Sequence, residues 1–370
     1  MICLKCGANN LYRERSGRKC SKCGHVFVFE PKLDNLTDKF FLKALELVSA
    51  KESLSYHPQH LYYELARLRN KKPTVVKSKL GNTLGTLFLF CLVLPFWSMF
   101  LVSLLSFTMI FWILEAVYLL TAGIVCVRVW KNTDPAVIGL SYDKFKPLLD
   151  KWRKVNGLPK GLLDKKLSLP VHVSETDLLD YSVDRAIICD KPELVDFLLA
   201  NNFHIEQKCA VLSYGGHPKE RFEDIRQMLK RNPNVCVFVL HNASLNGCRI
   251  YASIKNDKDW FKGFERIYDI GLNPSHAKAF AGLWQTVKES HVQAIPGYSE
   301  QDMKWLSQYK LELMAVRPEH LLNRLRNVLN GYTKNLADAY ARGDSDSGFG
   351  GADIMIIGSD FDLGADDDFG

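Results

Sequence analysis

Residues 84–129 limit more than any other stretch what this chain can fold into. Between Lys79 and Arg128 the one charged side chain is Glu115, set among Leu, Phe, Val, Ile and Trp. A soluble core has no need of so long and uniform an apolar run, whereas a bilayer does. One helical crossing takes about 20 residues, so the run suits two crossings and is too short for three. Residues 103–106 are the expected tight turn. Arg67, Arg69, Lys71, Lys72, Lys77 and Lys79 precede the run, and Arg128, Lys131, Lys144 and Lys146 follow it. Basic flanks stay on the cytoplasmic side, and basic flanks at both ends require an even number of crossings. The sequence therefore predicts a two-helix transmembrane hairpin over residues 81–131. It makes the chain a multi-pass inner-membrane protein with both ends in the cytoplasm. Glu115 would fall near the middle of the second span. A carboxylate there is either functional or held protonated against a Ser or Thr.

Charge is unevenly placed. Eight Asp and no Lys or Arg follow Arg342, so the preceding chain carries 48 basic against 33 acidic residues, a balance of +15. A basic body with an acidic end points to anionic partners: lipid headgroups, nucleic acid, or the chain's own tail. Residues 341–370 are rich in Gly, Ser and Asp and are expected to be a disordered tail. The ten cysteines show no paired disulfide framework, which fits a reducing cytosol.

Four of those cysteines open the chain as Cys3-Leu-Lys-Cys6 and Cys20-Ser-Lys-Cys23. Each pair offers two thiolates from one tight turn, and two pairs complete a tetrahedral set. Gly7 and Gly24 follow directly, where a knuckle needs a residue tolerant of positive φ. The first thirty residues resemble a zinc ribbon, with a small basic hairpin expected over residues 11–19. A closed four-thiolate set leaves no open coordination position, so the zinc is expected to be structural, and His25 is surplus to it. Arg13, Arg15, Arg18, Lys19 and Lys22 either meet phosphate or form a solvated basic face, and the ribbon is a candidate docking site for a protein partner.

Helical spacing marks residues 36–50 and 58–70 as helices, read as a connector and juxtamembrane segment over residues 31–80. A helix over 141–156, closed by Gly157, opens a region at residues 132–340 that alternates short β-rich runs with amphipathic helices. Strands are expected at 185–189, 209–213, 235–240 and 267–270. Such alternation predicts an α/β fold, a parallel sheet covered by helices on both faces, with ligands beyond the carboxyl ends of the strands.

Those strand ends carry a resemblance. Ile187-Ile-Cys-Asp190-Lys191, Cys209-Ala-Val-Leu-Ser213, Gly215-Gly-His-Pro218, Gly247, Ile250-Tyr251 and Gly271-Leu-Asn-Pro-Ser275 are similar to the Toprim domain of type IIB topoisomerase A subunits. The similarity covers residues 184–329. The resemblance implies a magnesium site built from an acid after the first strand and an Asp-x-Asp after the third. Asp190 matches the first, but Asn242 and Ser244 stand at the Asp-x-Asp positions, which takes the site's formal charge from −3 to −1 and makes magnesium doubtful. The winged-helix domain with its attacking tyrosine is absent from the match, and Tyr62 and Tyr63 are expected to pack rather than attack. His217 and His241 at strand ends either bind phosphate or metal or are polar loop residues. The expected ligand edge is thus Asp190, His217, His241, Asn242 and Ser244. It suits a membrane-anchored binding or scaffold protein that holds nucleic acid, a nucleotide or a protein partner. The alternatives are a membrane-tethered metal-dependent nuclease using Asp190, and an architectural protein that builds a homo-oligomer.

Overall fold

The computed structural model describes residues 1–70, 137–163, 184–257, 260–287 and 293–341. The expected hairpin, Glu115 and the acidic tail after Arg342 lie outside the described residues. Among the described residues no helix is long and apolar enough to cross a membrane. Described residues up to Ala66 and from Ile138 onward belong to one compact unit. Residues 67–137 form a second, of which only the last turn of one helix and Val137 are described.

A four-stranded parallel sheet organises the first unit. Strands β1 (Arg185–Cys189), β2 (Cys209–Ser213), β3 (Cys236–Leu240) and β4 (Ile267–Asp269) run in the order β2-β1-β3-β4. Their near-continuous apolar runs are those of strands buried on both faces. Register aligns Ala186 and Ile188 with Ala210 and Leu212 on one side and with Val237 and Val239 on the other. These side chains share one face and pack with Leu229, Ile254, Trp260, Phe261 and Phe264. Two of those residues come from helices α7 (Phe222–Arg231) and α8 (Leu245–Lys255). Helix α5 (Pro192–Ala200), followed by the short α6 (Phe203–Glu206), packs on β1 and β2.

The amino-terminal helices belong to this unit. Helix α1 (Pro31–Asp34) leads into α2 (Asp38–Val48), where Thr37 accepts the Phe40 N–H as N-cap. Helix α3 (Pro58–Asn70), the expected connector helix, is buried nearly all round from His60 to Ala66. Tyr62 donates to the Leu140 carbonyl at 2.6 Å, Gln285 donates to the Tyr63 hydroxyl at 2.8 Å, and Glu64 takes a bidentate pair from Arg317. The helix is thus a central strut of the α/β unit. Burial pushes the Tyr62 phenol up to about 12 and the Tyr63 phenol well above its usual range, and both rings pack as expected. Helix α4 (Tyr142–Asn156) ends at Gly157, as expected, and buries Phe145, Leu148, Leu149 and Trp152. The carboxyl-terminal part adds α9 (Pro274–Ala277), α10 (Glu300–Gln308), the two-stranded antiparallel pair β5 (Gln285–Thr286) and β6 (Tyr309–Lys310), and α11 (Pro318–Ala341).

The cysteine-rich start sits against α2 and α4. Phe29, Phe41 and Trp152 stack with ring centroids 4.7–6.2 Å apart. The buried Asp38 carboxylate accepts the Val28 and Phe29 N–H groups at 3.1 and 3.0 Å. Arg15–Glu30 and Lys151–Asp34 close the edge. Residues 11–19 differ from the expected hairpin. They form two single-turn 3-10 segments, Tyr12–Glu14 and Ser16–Arg18, because Glu14 reaches back to the Leu11 N–H and Gly17 takes a left-handed turn.

Candidate metal centre and strand-end site

The two knuckles repeat one local design. Gly7 donates to the Cys3 carbonyl and Gly24 to the Cys20 carbonyl, both at 2.9 Å, and each glycine has φ +70°. Short pairings, Ile2 with Asn9 and Lys19 with Val26, close each turn. The result brings all four Sγ atoms within 4.8 Å of one another, with Cys3–Cys23 and Cys6–Cys20 each at 3.6 Å. An ion bound by four thiolates at about 2.3 Å needs sulfurs about 3.8 Å apart, so the set fits a tetrahedral metal. The four cysteines are the one convergent set of metal-ligand side chains among the described residues.

Asn10 is a residue the sequence reading missed. Fully buried, it donates through Nδ2 to Cys20 Sγ at 3.4 Å and to the Ala8 carbonyl, while Oδ1 accepts from Ser21 N and Oγ. It therefore locks one knuckle to the other and favours a thiolate at Cys20. Burial raises the Cys20 thiol, but the amides of Cys23 and Lys22, with Asn10, outweigh that and bring it down to about 6. At Cys23 the His25 amide favours the thiolate, yet desolvation and the three neighbouring thiols push it up to about 12. Crowding four sulfurs thus disfavours a fourth negative charge until a cation balances it. An Asn three residues past a Cys-x-x-Cys-Gly turn is the sequence signal that could have marked it.

At the strand ends, the expected edge is only partly assembled. Asp190 leaves β1 with its Oδ2 accepting from Asn242 N at 3.0 Å and Asn242 Nδ2 at 2.7 Å. Asn242 Oδ1 in turn accepts the Leu313 N–H at 2.6 Å, so both ends of this buried amide are committed. Ser244 caps α8 by accepting the Gly247 N–H at 3.1 Å. Gly247 lies so close that a Cβ there would strike the Asn242 carbonyl and come within 3.1 Å of Asp190 Oδ2. Asp190, Asn242, Ser244 and Gly247 therefore form one cluster. Asp190 Oδ1 is buried and accepts no hydrogen bond among the described residues. Burial raises the Asp190 carboxyl, against the Asn242 amide and the nearby His241 and Lys191.

The two histidines are placed elsewhere. His241 is fully buried below the edge, with Nδ1 2.9 Å from the Asn242 carbonyl and Nε2 3.0 Å from Asp269 Oδ1. His217 reaches Asp196 of α5 at 2.6 Å, and its own N–H bonds to Ser213 Oγ at 3.0 Å. Two partners that the sequence did not single out complete the surroundings. Lys191 pairs with the buried Glu312 at 2.8 Å, which also draws Lys310 at 3.6 Å. Burial lowers the Lys191 amine, but Glu312 more than reverses that. The arrangement offers one carboxylate oxygen beside an internally satisfied amide, with no second acid converging on it among the described residues. That chemistry suits holding a ligand by single contacts rather than clamping two metal ions. Comparison with protein-family models, with curated proteins and with solved structures finds no match.

Proposed function

We propose that this chain is a membrane-anchored, cytoplasm-facing binding protein whose Toprim-like domain has exchanged a metal clamp for an internal staple. One observation carries the reading: the Asn242 side chain bridges Asp190 and the Leu313 amide. An Asp-x-Asp carboxylate in that place would ligate magnesium, whereas here the amide is consumed within the fold. The basic balance of the chain before its tail makes an anionic polymer, nucleic acid first, the favoured ligand. A zinc ion in the four-thiolate set would fix the ribbon and supply no open position for chemistry.

Purified full chain should bind nucleic acid with strong salt dependence and cut neither DNA nor RNA when magnesium or manganese is added. Asp190→Ala removes the acceptor for two Asn242 N–H groups, which should cost about 1–3 kcal/mol of stability. Strand cleavage that needs magnesium and stops in Asp190→Ala would instead establish the nuclease, which the free Asp190 Oδ1 favours. For the anchor, protease added outside intact cells should spare both the ribbon and the α/β domain, while a tag near Leu105 should be reachable. Ends on opposite sides would mean a single crossing.

A further inference from the structure

Large exposed apolar side chains are concentrated in the ribbon. Of eight such residues in the described part of the chain, Ile2, Leu11, Tyr12, Val26 and Leu33 lie within the first 33 positions. Tyr12 is 61% exposed and Leu33 74%. The Lys32 amine sits 4.4 Å over the Tyr12 ring and the Arg15 guanidinium 5.4 Å from it, and the exposed Leu11 and Leu33 adjoin Tyr12 and Lys32 in sequence. Seven Lys and Arg share these 33 positions with two acids. Both acids are committed, Glu30 to Arg15 and Glu14 to the Leu11 N–H. A surface that is at once aliphatic and cationic selects a partner that is aliphatic and anionic.

We infer that this face is a docking surface for an acidic, aliphatic peptide, and that residues 344–370 of the same chain occupy it. That segment holds eight Asp, no Lys, Arg or His, and the run Ile354-Met-Ile-Ile357 followed by Phe361. The aliphatic run complements the exposed Leu11, Tyr12 and Leu33, and the eight Asp complement the seven basic residues beside them. Nucleic acid would satisfy the cations but leave Leu11 and Leu33 in water. Single exposed ion pairs are weak, but a tether holds its segment at millimolar effective concentration, where weak contacts give substantial occupancy.

Amide hydrogen exchange over residues 9–34 tests this in the purified full chain and in a chain ending at Gly343, at low salt and with metal content checked. Exchange there should quicken about threefold or more on truncation. Lys32→Glu and Leu33→Asp should each do the same in the full chain, since both side chains are exposed and lie outside the core. Added peptide 344–370 should restore protection to the truncated chain, and salt should abolish it. Equal exchange with and without the tail overturns the inference. So does protection that survives in both variants, which would place the tail elsewhere. Protection arising only on adding phosphatidylglycerol vesicles, equally in both chains, would assign the face to a lipid surface instead.

Discussion

Stripping the metal from the full chain should unfold the first 26 residues and leave the parallel sheet intact. The ribbon's own core consists of Cys3, Cys20 and Phe27, with Met1, Cys6 and Ala8 against it. Fewer than about 40 residues rarely bury enough surface to fold without a disulfide, a metal or a partner. Four-thiolate zinc sites supply about 10–16 kcal/mol at neutral pH, more than a whole small domain's stability. Cys6→Ser and Cys20→Ser should therefore each lose stoichiometric zinc and, with it, amide protection over residues 1–26. Phe29, Phe41 and Trp152 form a stack outside that cysteine cluster, so the near-ultraviolet signal of the stack should survive. Asn10→Ala should keep the ligands but weaken zinc about 10–100-fold, because it removes the donor that orients Cys20. Full zinc content and unchanged protection in both cysteine variants would show that the thiolates do not bind a metal.

Elements whose cause is local were legible in the sequence, and contacts between distant residues were not. Pro58 at a first helical turn, Gly157 after the last turn of a helix, and the apolar runs at 185–189 and 209–213 sit where the sequence places them. Smaller boundary differences also have local causes. The helix expected from residue 36 starts at Asp38 because Thr37 is its cap. The four cysteines could be read directly because spacing alone brings thiolates together. The role of α3 could not. Its basic end beside the apolar run says nothing of its burial, which rests on Gln285 and Arg317, 222 and 253 positions from their partners. The arrangement of the strand-end side chains was not legible for a related reason. A parallel sheet places all carboxyl ends at one edge, but not which side chains turn outward, and His241 turns inward to Asp269.

Replacing His241 by Leu should cost about 3–5 kcal/mol, the penalty for leaving one member of a buried ion pair alone. Both imidazole nitrogens face acceptors, the Asn242 carbonyl at 2.9 Å and Asp269 Oδ1 at 3.0 Å, and the ring is wholly buried. Nε2 makes no well-aligned hydrogen bond among the described residues, so its tie to Asp269 is a close charge contact that favours the imidazolium. Burial lowers the His241 basicity, but Asp269 reverses this and raises it well above the usual value. At Asp269 burial raises the carboxyl, and His241 with the Gly271 amide brings it down. Linkage then gives the pH course. The raised histidine contributes fully below about pH 6.5 and is lost as pH climbs through its folded value. The lowered aspartate contributes above about pH 4 and is lost as pH falls through its folded value. Stability from the pair should therefore form a plateau between about pH 4 and 6.5 and decline on the alkaline side. His241→Leu should abolish that alkaline decline. Gly271→Ala offers a test without removing a charge, because a Cβ there collides with the His241 ring and must push it from Asp269. It should destabilise by a comparable amount, whereas His241→Leu combined with Asp269→Leu should recover much of the single-variant loss. Denaturant midpoints of the full chain between pH 4 and 9, read by Trp260 fluorescence in a background lacking other indoles, check all three. A loss under about 1 kcal/mol in His241→Leu, with the same pH slope as the parent, would mean that no ion pair holds this end of the sheet.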